Sequence, residues 1–169
     1  MTATRPHCLV IGVGAGTGLA CVRRFVEGGY KVSMLARHEA RLQSFADEIA
    51  HTTAYAADIS DLDNYRAVLR KIVAEQGLPK MVVYNAALAT LAPYNELDTE
   101  LFERNFRVNT TGLLVTAQEL AADMISAGGG ALVVTGNTGA TRGIPSFVGF
   151  SPTKASQRIL AECLARELG

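Results

Sequence analysis

The residues best suited to chemistry form one short run: Gly12, Val13, Gly14, Ala15, Gly16, Thr17, Gly18 and Leu19. Backbone amides at the start of a helix point at anions, and a missing Cβ lets a phosphate group come close. The spacing is G-x-x-x-G-x-G through Gly12, Gly16 and Gly18. It is not G-x-G-x-x-G, because Thr17 occupies the fifth position after Gly12. A glycine-rich turn packing a strand against a helix would use the same residues. Further along, Leu35, Ala36, Arg37 and His38 close an apolar run without an acid. An acid there would hold a ribose 2′-hydroxyl, whereas the Arg37 guanidinium suits a 2′-phosphate. Arg37 thus favours NADP over NAD, the alternative being an arginine in the first turn of a surface helix.

The elements that must position these residues alternate along the chain. Apolar runs ending in turn residues predict strands over 8–13, 30–36, 52–57, 80–85 and 131–135. Helical spacing predicts helices over 19–27, 39–50, 61–76, 98–126 and 151–168, the fourth interrupted near its start. Gly28 with Gly29, Gly77 with Pro79, and Gly128 to Gly130 supply the stops. Strands separated by helices cannot pair as hairpins, so the class is α/β. The expected form is a doubly wound, Rossmann-type parallel sheet in order 3-2-1-4-5 with helices on both faces. That arrangement puts the glycine run between the first strand and first helix, where such sheets bind nucleotides, and this favours the nucleotide reading.

Composition narrows the partners. The chain has 169 residues, 49% of them hydrophobic, enough for one folded domain. Sixteen Lys and Arg balance sixteen Asp and Glu, which argues against nucleic acid or an anionic membrane as partner. Four glycines break the only low-charge N-terminal run, and no apolar run is long enough to span a membrane. Cys8, Cys21 and Cys163 are scattered, and His7, His38 and His51 show no ligand spacing. Neither a metal centre nor a disulfide framework is expected, and a reducing cytoplasm is the default location.

Several motifs converge on one resemblance. The glycine run matches T-G-x-x-x-G-x-G with Ile11 in place of Thr. Ala57-Asp58-Ile59 follows the third strand, and Tyr84-Asn85-Ala86-Ala87 the fourth, like an altered N-N-A-G. Val108-Asn109 leads to Gly112, and Phe150 stands four residues before Lys154. In this order the chain resembles the short-chain dehydrogenase/reductase family over nearly its whole length. The resemblance implies an NAD(P)-dependent oxidoreductase acting on a small carbonyl or alcohol. It implies that Asp58 and Ile59 contact adenine, that Asn85, Ala86 and Ala87 line the cofactor site, and that Lys154 binds the nicotinamide ribose. It also implies a homo-oligomer through the last two helices. There Leu113, Leu114, Ala117, Leu120 and Met124 form one stripe, and Ile159, Leu160, Cys163 and Leu164 another. A face that merely covers its own sheet would produce such stripes as well.

The departures concern the proton path. The family places a tyrosine at position 150, and Phe150 can neither give nor take a proton. Its serine, thirteen residues earlier, is Asn137 here; a one-residue slip would bring Gly136 or Thr138 there. Asn109 and Lys154 are retained. The Lys154 ammonium and Ser146 are the remaining candidates to polarise a substrate oxygen; Ser151 is a poor substitute, because neighbouring helix residues point about 100° apart. Two readings stay open: an oxidoreductase with an altered donor set, or a nucleotide-binding module that has lost chemistry and acts as a sensor or interaction partner. The family also has two more strands with a substrate lobe between them. The chain is therefore expected to be one dinucleotide-binding domain without them, its fifth strand an exposed edge.

Overall fold

The computed structural model describes residues 5–169. Five strands alternate with helices: β1 (His7–Ile11), β2 (Lys31–Ala36), β3 (Thr52–Ala56), β4 (Met81–Tyr84) and β5 (Ala131–Val134). The helices are α1 (Thr17–Glu27), α2 (Glu39–Glu48), α3 (Leu62–Gln76), α4 (Thr99–Phe106), α5 (Gly112–Ser126) and α6 (Ser151–Leu168). All strand pairs are parallel, in order β3-β2-β1-β4-β5. The expected doubly wound sheet is the observed one. Every residue of β1 is buried, as a strand covered on both faces must be.

Side-chain alternation divides the core. Leu9 and Ile11 face a cluster with Tyr65, Leu69, Leu113 and Leu120 from α3 and α5. Cys8 and Val10 face the opposite cluster, with Val22 of α1 and Leu42 of α2. A period of two therefore feeds two helical layers from one strand.

The fourth predicted helix, 98–126, is one rod with a change of winding. A π-helical turn, Arg107–Thr111, joins α4 to α5, so the interruption expected near the start lies at 107–111. There the Gly112 amide donates to Arg107 O, five residues back. This frees Val108 O, which accepts the Tyr84 hydroxyl instead. Gly112 must be glycine, because a Cβ would collide with the Tyr84 hydroxyl and Ile59. A short 3₁₀ turn, Thr138–Ala140, follows β5 and has no counterpart in the sequence expectation.

The apolar stripes of α5 and α6 split. Leu113, Ala117, Leu120 and Met124 are buried against the sheet. Leu114 and Ile159 are 37% and 47% exposed, and Cys163 is exposed too. No described helix is long and apolar enough to cross a membrane.

His7 contrasts with the other histidines in being a core residue. Its ring lies 2.7 Å from Gly77 O and 2.8 Å from the Ser33 hydroxyl. A carbonyl can only accept, so Nδ1–H donates to Gly77 and neutral Nε2 accepts from Ser33. Burial, with Lys31 nearby, lowers the imidazole pKa below 6.5 against the opposing pull of the Gly77 hydrogen bond. The folded state thus binds a proton less readily than the unfolded chain. Unfolding free energy should hold above pH 6.5 and fall as pH drops below it, by at most about 1.4 kcal/mol per pH unit. Urea titrations between pH 7.5 and 5 should show this slope in the wild type and a weaker one in His7→Gln.

Candidate active site

The C-terminal ends of β1 to β4 enclose a crevice of about 260 Å³. Gly12 and Gly14, Arg37, Asp58 and Ile59, and Asn85, Ala86 and Ala87 all line it. It lies where the strand order reverses about β1, the place where open α/β sheets bind ligands. Of the residues expected at a cofactor, these eight converge. Ala15, Gly16 and Thr17 are exposed beside the crevice, at the N-terminus of α1. Gly18 is buried, Leu19 is half-buried, and Lys154 lies apart, at the end of β5.

The glycines have two distinct jobs. Gly12 has φ +90°, and a Cβ there would collide with the Ala86 backbone. A Cβ on Gly18 would sit 2.6 Å from Gly12 O and 2.8 Å from Val13 Cα. These two let strand, loop and helix close on one another. Gly14 and Gly16 face open space. Gly16 caps α1 with no side chain, leaving the Thr17 and Gly18 amides for an anion, while the Leu19 amide donates to Gly14 O at 3.0 Å. Asn85 fixes the loop from across the sheet, its amide donating to Gly12 O at 2.8 Å. An open glycine cradle at a helix N-terminus, beside a long crevice, fits a dinucleotide.

Electrostatics differ along the crevice. His38 and Arg41 join Arg37 on its rim, and sequence reading had singled out only Arg37 there. Asp58 is tied down: Oδ1 accepts from the Ser60 amide at 2.9 Å and hydroxyl at 2.7 Å, and Oδ2 accepts from Arg104 at 2.7 Å. Burial alone would raise its pKa, but the Ser60 hydrogen bonds and the Arg104 guanidinium outweigh it and hold the carboxyl below the usual range. Ser60 and Arg104 had no sequence signal, since Arg104 is 46 residues from the carboxylate it holds.

The second cluster centres on the π-helical turn. Asn109 is fully buried. Its Oδ1 accepts from Leu88 N at 2.7 Å, and its Nδ2 donates to Leu88 O at 2.8 Å and to the Thr153 hydroxyl at 2.7 Å. One turn back, buried Asn105 donates to Gly149 O at 2.7 Å and accepts from Thr90 at 3.3 Å. The two asparagines pin the segment after β4 to the start of α6. Asn105 was invisible in the sequence; its spacing of four from Asn109 on a helix was the available clue.

Phe150 caps α6 and is half-buried, its ring 6.5 Å from that of Phe147. It belongs to neither core cluster. Asn137 is exposed at the start of the 3₁₀ turn. Ser146 is exposed with φ +62°, and the buried Ser151 hydroxyl has no partner among the described residues. Lys154 is 3% exposed, and its ammonium donates to Thr135 O at 2.8 Å, just past the end of β5. Burial alone lowers its pKa from 10.5 to about 8.

This arrangement has known counterparts. Residues 6–169 match the short chain dehydrogenase family. The chain belongs to that family. It is 32% identical over 164 residues to a D-erythrulose reductase of Gallus gallus, covering 96% of this chain and 65% of that protein. To an L-xylulose reductase of Homo sapiens it is 29% identical over 162 residues, covering 95% and 65%. This family member therefore spans about two thirds of the length of these relatives. An alcohol dehydrogenase from the archaeon Thermococcus sibiricus, complexed with 5-hydroxy-NADP, matches at TM-score 0.90 and 25% identity, over 98% of this chain and 72% of that one. A short-chain dehydrogenase from Streptomyces avermitilis shares the fold at TM-score 0.92 and 24% identity, over 99% and 62%.

The division among the glycines is testable. Gly16→Val should fold, at a cost of no more than about 1–2 kcal/mol, yet lose NADPH binding. Gly12→Ala should destabilise by more, through collision and a left-handed backbone. Denaturant titration and NADPH fluorescence measure the two properties separately; NADPH affinity equal to wild type in Gly16→Val would contradict the cradle.

Proposed function

We propose that this chain is the dinucleotide-binding domain of an NADP-dependent oxidoreductase that interconverts a small carbonyl and its alcohol. The family's two further strands and substrate lobe have no counterpart in residues 5–169, and β5 is the edge of the described sheet. Bound NADPH would supply the hydride. The open cradle at Gly14 and Gly16 would admit the pyrophosphate, and Asp58 and Ile59 would hold the adenine. Arg37, with Arg41 beside it, supports the preference for a 2′-phosphate. The NADP-related ligand of the Thermococcus sibiricus structure supports the same cofactor class. The names of the reductases from Gallus gallus and Homo sapiens support a polyhydroxylated ketone as substrate class.

One observation carries the chemistry: a buried ammonium at the end of β5, one turn from a phenylalanine where the family has its acid. Phe150 cannot protonate an alkoxide. Lys154 has no carboxylate to neutralise it, and at a pKa of about 8 it can release a proton near neutral pH. We assign it the donor role, with Phe150 as an apolar wall and Asn137 as a hydrogen-bond donor to the substrate oxygen. Asn109 acts through position, holding Thr153 and hence the first turn of α6. That full commitment, together with Phe150, favours a second reading, a binding module without turnover.

An assay separates the readings. With NADPH and 4-nitrobenzaldehyde, the wild type should reduce the aldehyde slowly, and more slowly as pH rises through about 8. Lys154→Met should abolish this. Phe150→Tyr combined with Asn137→Ser should raise the rate by about 10-fold or more, because a phenol and a hydroxyl then stand at the family's positions. No reduction by either protein, with NADPH binding intact, supports the module.

The outward remainder of the α5 and α6 stripes supports a homo-oligomer. Leu114, Ile159, Leu160 and Cys163 line a groove of about 570 Å³ between the two helices. Light scattering at micromolar concentration should give at least a dimer, and Ile159→Glu should shift it toward monomer.

A further inference from the structure

Lys154 shares its burial with a second polar side chain. Gln157, one turn further along α6, is 1% exposed. Its Oε1 accepts from the Lys154 ammonium. Among the described residues, its Nε2, fully buried, reaches no acceptor. Turning the amide over would set two donors against each other, so the lysine fixes its orientation. A buried amide donor without a partner costs free energy, and a leucine of similar size would fill the position without that cost. The glutamine is therefore poorly explained as packing.

The surroundings of the ammonium are neutral. Its hydrogen-bond partners are the Thr135 carbonyl just past β5 and the Gln157 carboxamide on its own helix. Across from them, the π-helical turn contributes Asn109 and Thr110, which bond to Thr153, also neutral. Among the described residues, no salt bridge includes Lys154 and no charged group contributes to its pKa. An ammonium has three donors, so two are held by these oxygens and one is left for a substrate oxygen.

We propose that Gln157 is a positioning residue that aims the Lys154 ammonium at the end of β5 and sustains its charged, proton-donating form. The proposal rests on the donor role assigned above to Lys154. Its oxygen stabilises the charge that burial opposes, so the two effects set the acidity together.

The test reads the amine directly. The chain has four lysines, Lys31, Lys71, Lys80 and Lys154, so side-chain NMR of lysine-labelled protein gives few signals, and Lys154→Arg assigns the one of interest. In the wild type the Lys154 amine should titrate near 8. Gln157→Glu, nearly isosteric, should raise that midpoint by about one to three pH units through an anionic partner. Gln157→Leu should lower it. The alkaline limb of kcat for 4-nitrobenzaldehyde reduction should move with the amine. A Lys154 midpoint unchanged in both variants overturns the positioning role. Should the midpoint move while the limb stays, Gln157 keeps its role and the assignment of Lys154 as donor falls. If Gln157→Leu does not fold, Gln157→Glu decides the question alone.

Discussion

A single carboxamide joins three segments that are distant in sequence. Asn109 pairs with both backbone groups of Leu88 and with the Thr153 hydroxyl, from a fully buried position. Without it, the Leu88 amide and carbonyl, in a half-buried segment, would each need another partner. Leaving such groups unpaired costs about 1–3 kcal/mol each. The geometry of the site depends on this tie. It sets the path of the chain after β4, which walls the crevice, and the first turn of α6, which carries Phe150 and Lys154. The π-helical turn is what makes it possible. Its altered winding releases Val108 O to Tyr84 and lets the rod pass close to β4 at Gly112. A unit of π-helix at a functional position is a common device for aiming one side chain.

The crevice shows how one loop can satisfy opposing demands. Its glycines must be small on the inside so that strand and helix close, and, in the proposed role, small on the outside so that an anion can approach. Gly12 and Gly18 answer the first demand, Gly14 and Gly16 the second. The walls then divide the charge. Arg37 and Arg41 make the rim beyond β2 cationic, while Asp58, beyond the neighbouring β3, is held ionised by Ser60 and Arg104. A fixed carboxylate is an acceptor whose direction is known, which suits the recognition of an amino group.

The proposed proton chemistry rests on what burial does to a lone ammonium. A solvated lysine stays charged to a pH far above neutrality and gives up its proton reluctantly. Burial without a counter-ion disfavours the charge, and Lys154 is brought to about 8. A neighbouring carboxylate would have undone this. Gln157 supplies an oxygen without a charge, and in the proposed role this directs the ammonium and leaves it acidic. In the family's usual arrangement the lysine serves a tyrosine; in this reading Phe150 removes that intermediary.

Local sequence determined the frame. Apolar runs of strand length alternating with helical patterns suffice for a parallel sheet, because no other pairing satisfies strands so far apart, and the order followed from handedness. The glycine loop, Arg37 and Asp58 could be read because each follows the end of a strand, a position that the pattern itself reveals, and Lys154 because it stands four residues after Phe150, as the family resemblance requires. The tertiary structure decided what these residues touch. Arg104 meets Asp58 across 46 positions, and Asn105 meets Gly149 across 44. Such hydrogen bonds leave no periodicity behind, since either partner alone is an ordinary polar residue on a helix. The π-helical turn was equally hidden: it arises because Gly112 must pass Tyr84 and Ile59, which belong to other segments. His7 carried the same ambiguity at the end of a strand. Only the arrival of Gly77 and Ser33 on its two ring nitrogens made it part of the core. Sequence periodicity records which face of an element is buried, and packing alone records which partner waits there.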